Sequence, residues 1–193
     1  PRFLHGHIVI TMGGSEPPNA TGRMLEILSG FGDRRLKLSV ILGPAYTHRE
    51  RLEPALAALR GTHDVEVLVD PPDLVAVLAR ADLAISAAGT TCWELASLGI
   101  PLAIVVLADN QLAGAEALAQ RGTAVLLGWH NKLNASDVLQ QLRSLLQQPE
   151  LLRRLSNDAR SLIDGRGAGR VAERMATYPL TLRAVTAADA SML

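Results

Sequence analysis

Cysteine is nearly absent from this 193-residue sequence: Cys92 stands alone. A single thiol excludes an internal disulfide framework and suits a reducing compartment. Aromatic residues make up 3%, too few for the stacking platforms that single-stranded nucleic-acid binders use. The 19 Lys and Arg balance 19 Asp and Glu, so no basic surplus points to nucleic acid. No apolar run approaches the roughly 20 residues of a membrane span, because LAIVVLA ends at Asp109 and Asn110. No signal peptide is visible. The sequence opens on Pro1 rather than methionine, and it reads as a soluble cytoplasmic piece of a longer protein.

What is present is a hydrophobic content of 48%, enough for a packed core in one or two domains. β-Branched and apolar runs at 7–12, 36–43, 65–69, 83–86, 101–107 and 123–128 read as strands, and helical patterns separate them. The helices fall at Ala20–Ser29, His48–Arg60, Asp73–Ala81, Trp93–Leu98, Leu112–Gln120, Ser136–Gln147, Pro149–Ile163 and Arg170–Thr177. Six strands alternating with helices predict an α/β fold, a Rossmann-like doubly wound parallel sheet covered on both faces. The default strand order is 3-2-1-4-5-6, with its switch point between the first and fourth strands.

The loops after those two strands are the least encumbered in the chain. The first strand runs into GGSEPPN, where Gly13 and Gly14 bare the backbone and Ser15 adds a hydroxyl. This spacing matches neither the dinucleotide fingerprint nor a Walker loop. The fourth runs into AAGTT, where Ala88 and Gly89 let a ligand approach the main chain. Thr90 or Thr91 can cap the next helix, whose first N–H groups favour an anion. Gly99 ends that helix, and Pro101 prevents its continuation. The fifth strand delivers Asp109, Asn110 and Gln111 to the same end of the sheet. Two strand ends and one helix N-terminus thus face one crevice, a ligand site.

Several of these residues have a plainer reading. Thr91-x-x-Glu94 has the spacing of a capping box. GGS could be an ordinary tight turn, and Asn110 could simply cap the helix that follows. Cys92 fits a small buried filler, and no group of histidines has metal-ligand spacing.

The pieces TMGGSEPPN (11–19), ADLAISAAGTTCWELASLGIP (81–101), LADNQ (107–111) and DGRGAGRVAERM (164–175) carry a resemblance. They are similar to the C-terminal, nucleotide-binding half of the two-domain GT-B enzymes. The nearest likeness is to the PseG family of UDP-sugar hydrolases of pseudaminic acid biosynthesis, with the related spore-coat polysaccharide proteins. MurG-type glycosyltransferases share the glycine loop and the Glu-bearing helix but carry a longer insert and other polar residues after the fifth strand. The resemblance implies a UDP-sugar substrate and no metal or other cofactor. It also implies that a hydrolase would release UDP from a 2,4-diacetamido-2,4,6-trideoxy-hexose; the alternatives are the donor-binding domain of a MurG-like glycosyltransferase and a non-catalytic nucleotide-sugar sensor domain.

By the same resemblance, Gly13, Gly14 and Ser15 meet the diphosphate or sugar, and Ala88, Gly89, Thr90 and Thr91 hold phosphate. Glu94 takes the ribose hydroxyls, Asp109, Asn110 and Gln111 face the sugar, and the backbone at Val69 and Asp70 meets uracil. No catalytic residue is assigned within the sequence. The family's histidine belongs to an N-terminal domain expected in cis, and His5 and His7 precede the first strand on the far side from the crevice. Tyr178–Leu193 resembles the opening of a GNAT-type acetyltransferase, a second possible domain in cis; its pattern fits an ordinary C-terminus equally. The expected organisation is a UDP-sugar-binding domain over 1–178 and a linker with a truncated domain over 179–193.

Overall fold

The computed structural model describes residues 6–16 and 18–178. The expected strand and helix of the tail therefore lie outside the described residues, as does His5. The elements run β1 (His7–Thr11), α1 (Ala20–Leu28), β2 (Lys37–Leu42), α2 (Arg49–Thr62), β3 (Asp64–Val69), α3 (Leu74–Leu78), β4 (Leu83–Ala87) and α4 (Thr91–Ser97). There follow β5 (Leu102–Val106), α5 (Asp109–Gln120), β6 (Ala124–Trp129), a 3₁₀ turn at His130–Lys132, α6 (Ala135–Gln147), α7 (Pro149–Leu162) and α8 (Gly167–Thr177). The chain divides into two compact units, Pro1–Ile163 and Asp164–Leu193.

All five strand pairings are parallel and the order is β3-β2-β1-β4-β5-β6, as the alternation of strands and helices predicts. Every residue of β1, β4 and β5 is buried, which is why these segments read as continuous apolar runs instead of alternating ones. One face packs Ile8, Ile10, Leu38, Val40, Leu83 and Ile85 against residues of α1, α2 and α6. The other packs Val9, Ile41, Ala84, Leu102 and Ile104 against residues of α4 and α5. Helix starts follow the capping chemistry: Asn19, Asp73 and Asn134 each accept from a first-turn N–H, and Pro149 opens α7, where its missing N–H costs nothing.

Boundaries move at three places that matter for the site. α4 begins at Thr91, two residues before Trp93, with Thr90 at its N-cap. α5 begins at Asp109, so Asp109, Asn110 and Gln111 form its first turn instead of a polar loop, and the N-cap is Ala108, not Asn110. α8 begins at Gly167, taking up part of the GRGAG segment. Small and polar residues read as breakers in isolation, but here each continues a helix whose next turns are already committed.

The N-terminal end of the sheet is sealed by buried polar groups. His7 Nδ1 donates to the Arg80 carbonyl at 3.0 Å, and its Nε2 lies 2.7 Å from Ser39 Oγ. The Ser39 hydroxyl donates to Glu66 at 2.5 Å, and the Asp82 carboxylate accepts the His7 N–H at 3.0 Å. His63 is 1% exposed, and its Nδ1 accepts the Leu36 N–H at 3.3 Å. Burial holds both His7 and His63 below the ordinary imidazole range. Both take up protons less readily in the folded chain than in the unfolded one, which does so below about pH 6.5. Their contribution is thus present above pH 6.5 and lost as pH falls further. Urea unfolding at pH 7.5, 6.5 and 5.5 is expected to show stability decreasing over that series.

Candidate functional site

The crevice opens where the sheet reverses direction of growth. β1 and β4 are neighbours, paired from Ile8↔Leu83 to Thr11↔Ser86, yet α1 packs on one face and α4 on the other. Their following loops must diverge, leaving a gap above the strand ends.

One wall is the loop after β1. Gly13 has φ 97, a conformation that favours glycine. Gly14 has ordinary φ, is exposed, and an added Cβ there would meet nothing within 4 Å. The loop is pinned from outside: Ala45 N donates to Gly14 O at 3.1 Å, and a Cβ on Gly43 would overlap Gly14 and Gly13 carbonyls. Ser15 is exposed. Next to it, Glu16 is 5% exposed, and its carboxylate accepts from the Thr21 N–H and, at 2.5 Å, from the Thr21 hydroxyl. Burial raises its carboxyl above the usual range, and the Thr21 bonds oppose that rise. Asn19 (φ 53) accepts from the Tyr46 hydroxyl at 2.6 Å. The N-terminus of α1 is therefore already occupied by a protein carboxylate.

The opposite wall is different. Among the described residues the N–H groups of Gly89, Thr90 and Thr91 donate to no protein acceptor. Thr90 makes no side-chain cap bond, and neither Thr91 nor Glu94 bonds the other as a capping box would require. Glu94 is exposed, and its carboxylate has no hydrogen-bond or ion-pair partner among the described residues. Cys92 is buried as expected, donates to Ala87 O at 2.9 Å, and has its thiol pushed up to about 11 by burial. Gln111 Oε1 accepts the Leu107 N–H at 3.0 Å, closing the start of α5 and leaving its amide –NH₂ as the free end. Asp109 and Asn110 lie exposed beside it.

Between the walls is a cavity of about 120 Å³. Thr11, Gly13 and Gly14 line it from the first loop, Gly43 and Pro44 from the second, Asp70, Pro71 and Leu74 from the third, and Thr91 from α4. Asp70 is left-handed (φ 43) and its N–H donates to Leu42 O at 3.0 Å, while Val69 just before it is 42% exposed. Of the residues singled out in the sequence, Gly13, Gly14, Asp70 and Thr91 line the cavity; Ser15, Val69, Ala88, Gly89, Thr90, Glu94 and the Asp109–Gln111 turn do not. Sequence reading missed Gly43 and Pro44, although Gly-Pro directly after a strand is a turn signal. It also missed Glu16, whose partner Thr21 only the fold identifies. Among the described residues no three His, Cys, Asp or Glu side chains gather as a metal site requires, and no helix is long and apolar enough to cross a membrane.

Comparison with known proteins gives this geometry a lineage. The glycosyltransferase family 28 C-terminal domain matches residues 8–166. The spore coat polysaccharide biosynthesis protein SpsG of Bacillus subtilis is 24% identical over 166 residues, 86% of this chain and 48% of that protein. The UDP-N-acetylglucosamine–N-acetylmuramyl-(pentapeptide) pyrophosphoryl-undecaprenol N-acetylglucosamine transferase of Stutzerimonas stutzeri is 32% identical over 161 residues, 80% of this chain and 44% of that one. The crystal structure of Acinetobacter baumannii MurG superposes with a TM-score of 0.77 at 24% identity, covering 90% of this chain and half of that one. The chain thus spans about half the length of the curated relatives it matches. With its switch-point crevice, six-stranded parallel sheet and family match over residues 8–166, the chain belongs to the glycosyltransferase family 28 C-terminal domain family.

Proposed function

We propose that this chain is the UDP-sugar-binding part of a larger enzyme of surface-polysaccharide biosynthesis. The observation that carries the reading is the run of three consecutive unbonded amides, Gly89, Thr90 and Thr91, beside the cavity. Such a run suits a diphosphate, because the partial positive charge of a helix start resides in its unsatisfied N–H groups. α1 offers no rival, since Glu16 fills its N-terminus. Gly14 and Gly89 support the same reading: neither has a left-handed φ nor a neighbour that a Cβ would strike, so the fold itself does not demand glycine there. Close approach of a ligand does.

In this arrangement uracil enters the cavity against the Val69–Pro71 backbone, and the diphosphate spans Gly14 and Ser15 on one side and Ala88–Thr91 on the other. Glu94 accepts from the ribose hydroxyls. Asp109, Asn110 and the free –NH₂ of Gln111 face the sugar. When the anomeric bond breaks, negative charge develops on the departing UDP, where the amides and glycine loop stabilise it. No metal takes part. The group that brings in the acceptor belongs to a further domain in cis. With a sugar hydroxyl as acceptor the enzyme is a glycosyltransferase, the activity named for the Stutzerimonas relative. With water it is a hydrolase of the PseG type, releasing UDP from a 2,4-diacetamido sugar, the reading that the polar LADNQ segment after β5 favours. UDP release from such a sugar by the longer protein, with and without a sugar acceptor, separates the two.

Calorimetric titration is expected to show UDP binding that EDTA leaves unchanged and that is tighter than ADP binding. Chelator-sensitive binding, or tighter ADP binding, would overturn the reading. Glu94→Gln is expected to cost about 1.5–3 kcal/mol of UDP affinity, the worth of a charged hydrogen bond, and to cost 2′,3′-dideoxy-UDP far less. The two glycines after neighbouring strands are expected to behave oppositely. Gly43→Ala should lose about 1–3 kcal/mol of unfolding free energy through overpacking against the Gly13–Gly14 backbone. Gly14→Ala should leave urea unfolding within about 0.5 kcal/mol of the native chain while weakening UDP binding.

A further inference from the structure

α4 is gripped from behind by α7. Ser156 Oγ donates to the Gly99 carbonyl at 2.6 Å, and Arg160 Nη2 donates to the Leu98 carbonyl at 2.8 Å. Gly99 is left-handed (φ 64), and a Cβ there would overlap the Arg160 side chain. Arg160 thus crosses the helix end at a distance that only a glycine permits. Its guanidinium also sits at the carbonyl end of α4, where a positive charge complements the partial negative charge of the unpaired carbonyls.

The place of this grip matters more than its strength. The Leu98–Pro101 turn joins α4 to β5, and both lead into groups at the crevice: Thr91 and Glu94 on α4, and the Asp109–Gln111 turn after β5. α4 has only seven residues, and its N-cap Thr90 makes no side-chain bond. Among the described residues the side-chain hydrogen bond of its first turn is the weak one from the Cys92 thiol to the Ala87 carbonyl. The buried Cys92, Leu95 and Ala96 hold it against the sheet, but apolar packing resists sliding along the helix axis less than a directed hydrogen bond does. The stronger polar hold on the axial position of α4 is therefore at its rear, from two carbonyls and their hydroxyl and guanidinium donors.

Resting on the UDP reading above, we propose that Arg160 is a positioning residue for nucleotide binding. It sets where the Gly89–Thr91 amides and the Glu94 carboxylate stand relative to the ligand, without touching the ligand. Ser156 shares the grip but is buried, so its removal would confound positioning with core stability. Arg160 is exposed, and the fully buried Ala159 beneath it stays in place when the side chain is cut back. That separates the two effects.

The test compares Arg160→Ala and Arg160→Lys with Arg153→Ala, a control on the same helix whose partner is Glu150. UDP is titrated calorimetrically at a temperature where every variant is fully folded, so a change in stability alone leaves Kd unmoved. Backbone amide signals of Gly89, Thr90 and Thr91 are followed by NMR before any ligand is added. Arg160→Ala is expected to raise the UDP Kd about threefold to tenfold, the worth of one ordinary hydrogen bond, and to displace those three signals. Arg160→Lys, which keeps a cationic donor, should return most of the affinity, and Arg153→Ala should change neither readout. Unmoved amide signals, an unchanged Kd, or equal effects from Arg153→Ala would overturn the positioning role. A native chain that fails to bind UDP overturns the nucleotide reading instead, while the amide signals still decide whether Arg160 positions α4.

Discussion

Everything at the crevice depends on the parallel pairing of β1 with β4. These strands are adjacent in space and 75 positions apart at Ile8↔Leu83, and their successor helices depart to opposite faces. Two loops that leave neighbouring strands in opposite directions cannot cover the strand ends between them. The gap is therefore a consequence of connection handedness and not of any particular side chain. What the side chains decide is whether the gap can hold something, and there the two walls are built on different plans.

On the β1 side the protein consumes its own polar capacity. Glu16 takes the Thr21 amide and hydroxyl, Asn19 takes the Gly22 amide and the Tyr46 hydroxyl, and Gly14 O takes the Ala45 amide. The result is a loop tied back to the protein that presents bare backbone at Gly13 and Gly14. On the β4 side polar capacity is left unspent: among the described residues three amides and a carboxylate have no partner. One wall is thus internally bonded and the other is left with open donors. The far end of the sheet shows the contrast, because there His7, Ser39, Glu66 and Asp82 satisfy one another.

The order of the strands, the two small-residue loops and the placement of Glu94 on the helix after β4 were legible in the sequence. Each rests on local pattern: apolar runs bounded by turn residues, and glycines where the chain must bend. The polar turn Asp109–Gln111 was misplaced as a loop because Asp109 and Asn110 are poor helix formers in isolation. In the structure Gln111 supplies the Leu107 amide with an acceptor, and that bond is invisible without the fold. The capping box at Thr91 and Glu94 failed for the converse reason. Its spacing was correct, but the helix starts at Thr91 itself, leaving the would-be cap inside the first turn.

Sequence alone determined which segments are strands and helices, and it determined that two side-chain-poor loops follow the strands flanking the switch point, because periodicity and turn chemistry act over a few residues. Tertiary structure alone decided which polar groups are spoken for. Glu16 and Thr21 are five residues apart, yet their bond depends on the path of the intervening loop. The Gly43 contact with the first loop and the Arg160 and Ser156 grip on the α4–β5 turn join segments about 30 and about 60 residues apart. Hydrogen bonding is directional and short in range, so the same residues are occupied or open according to a packing that no local pattern encodes.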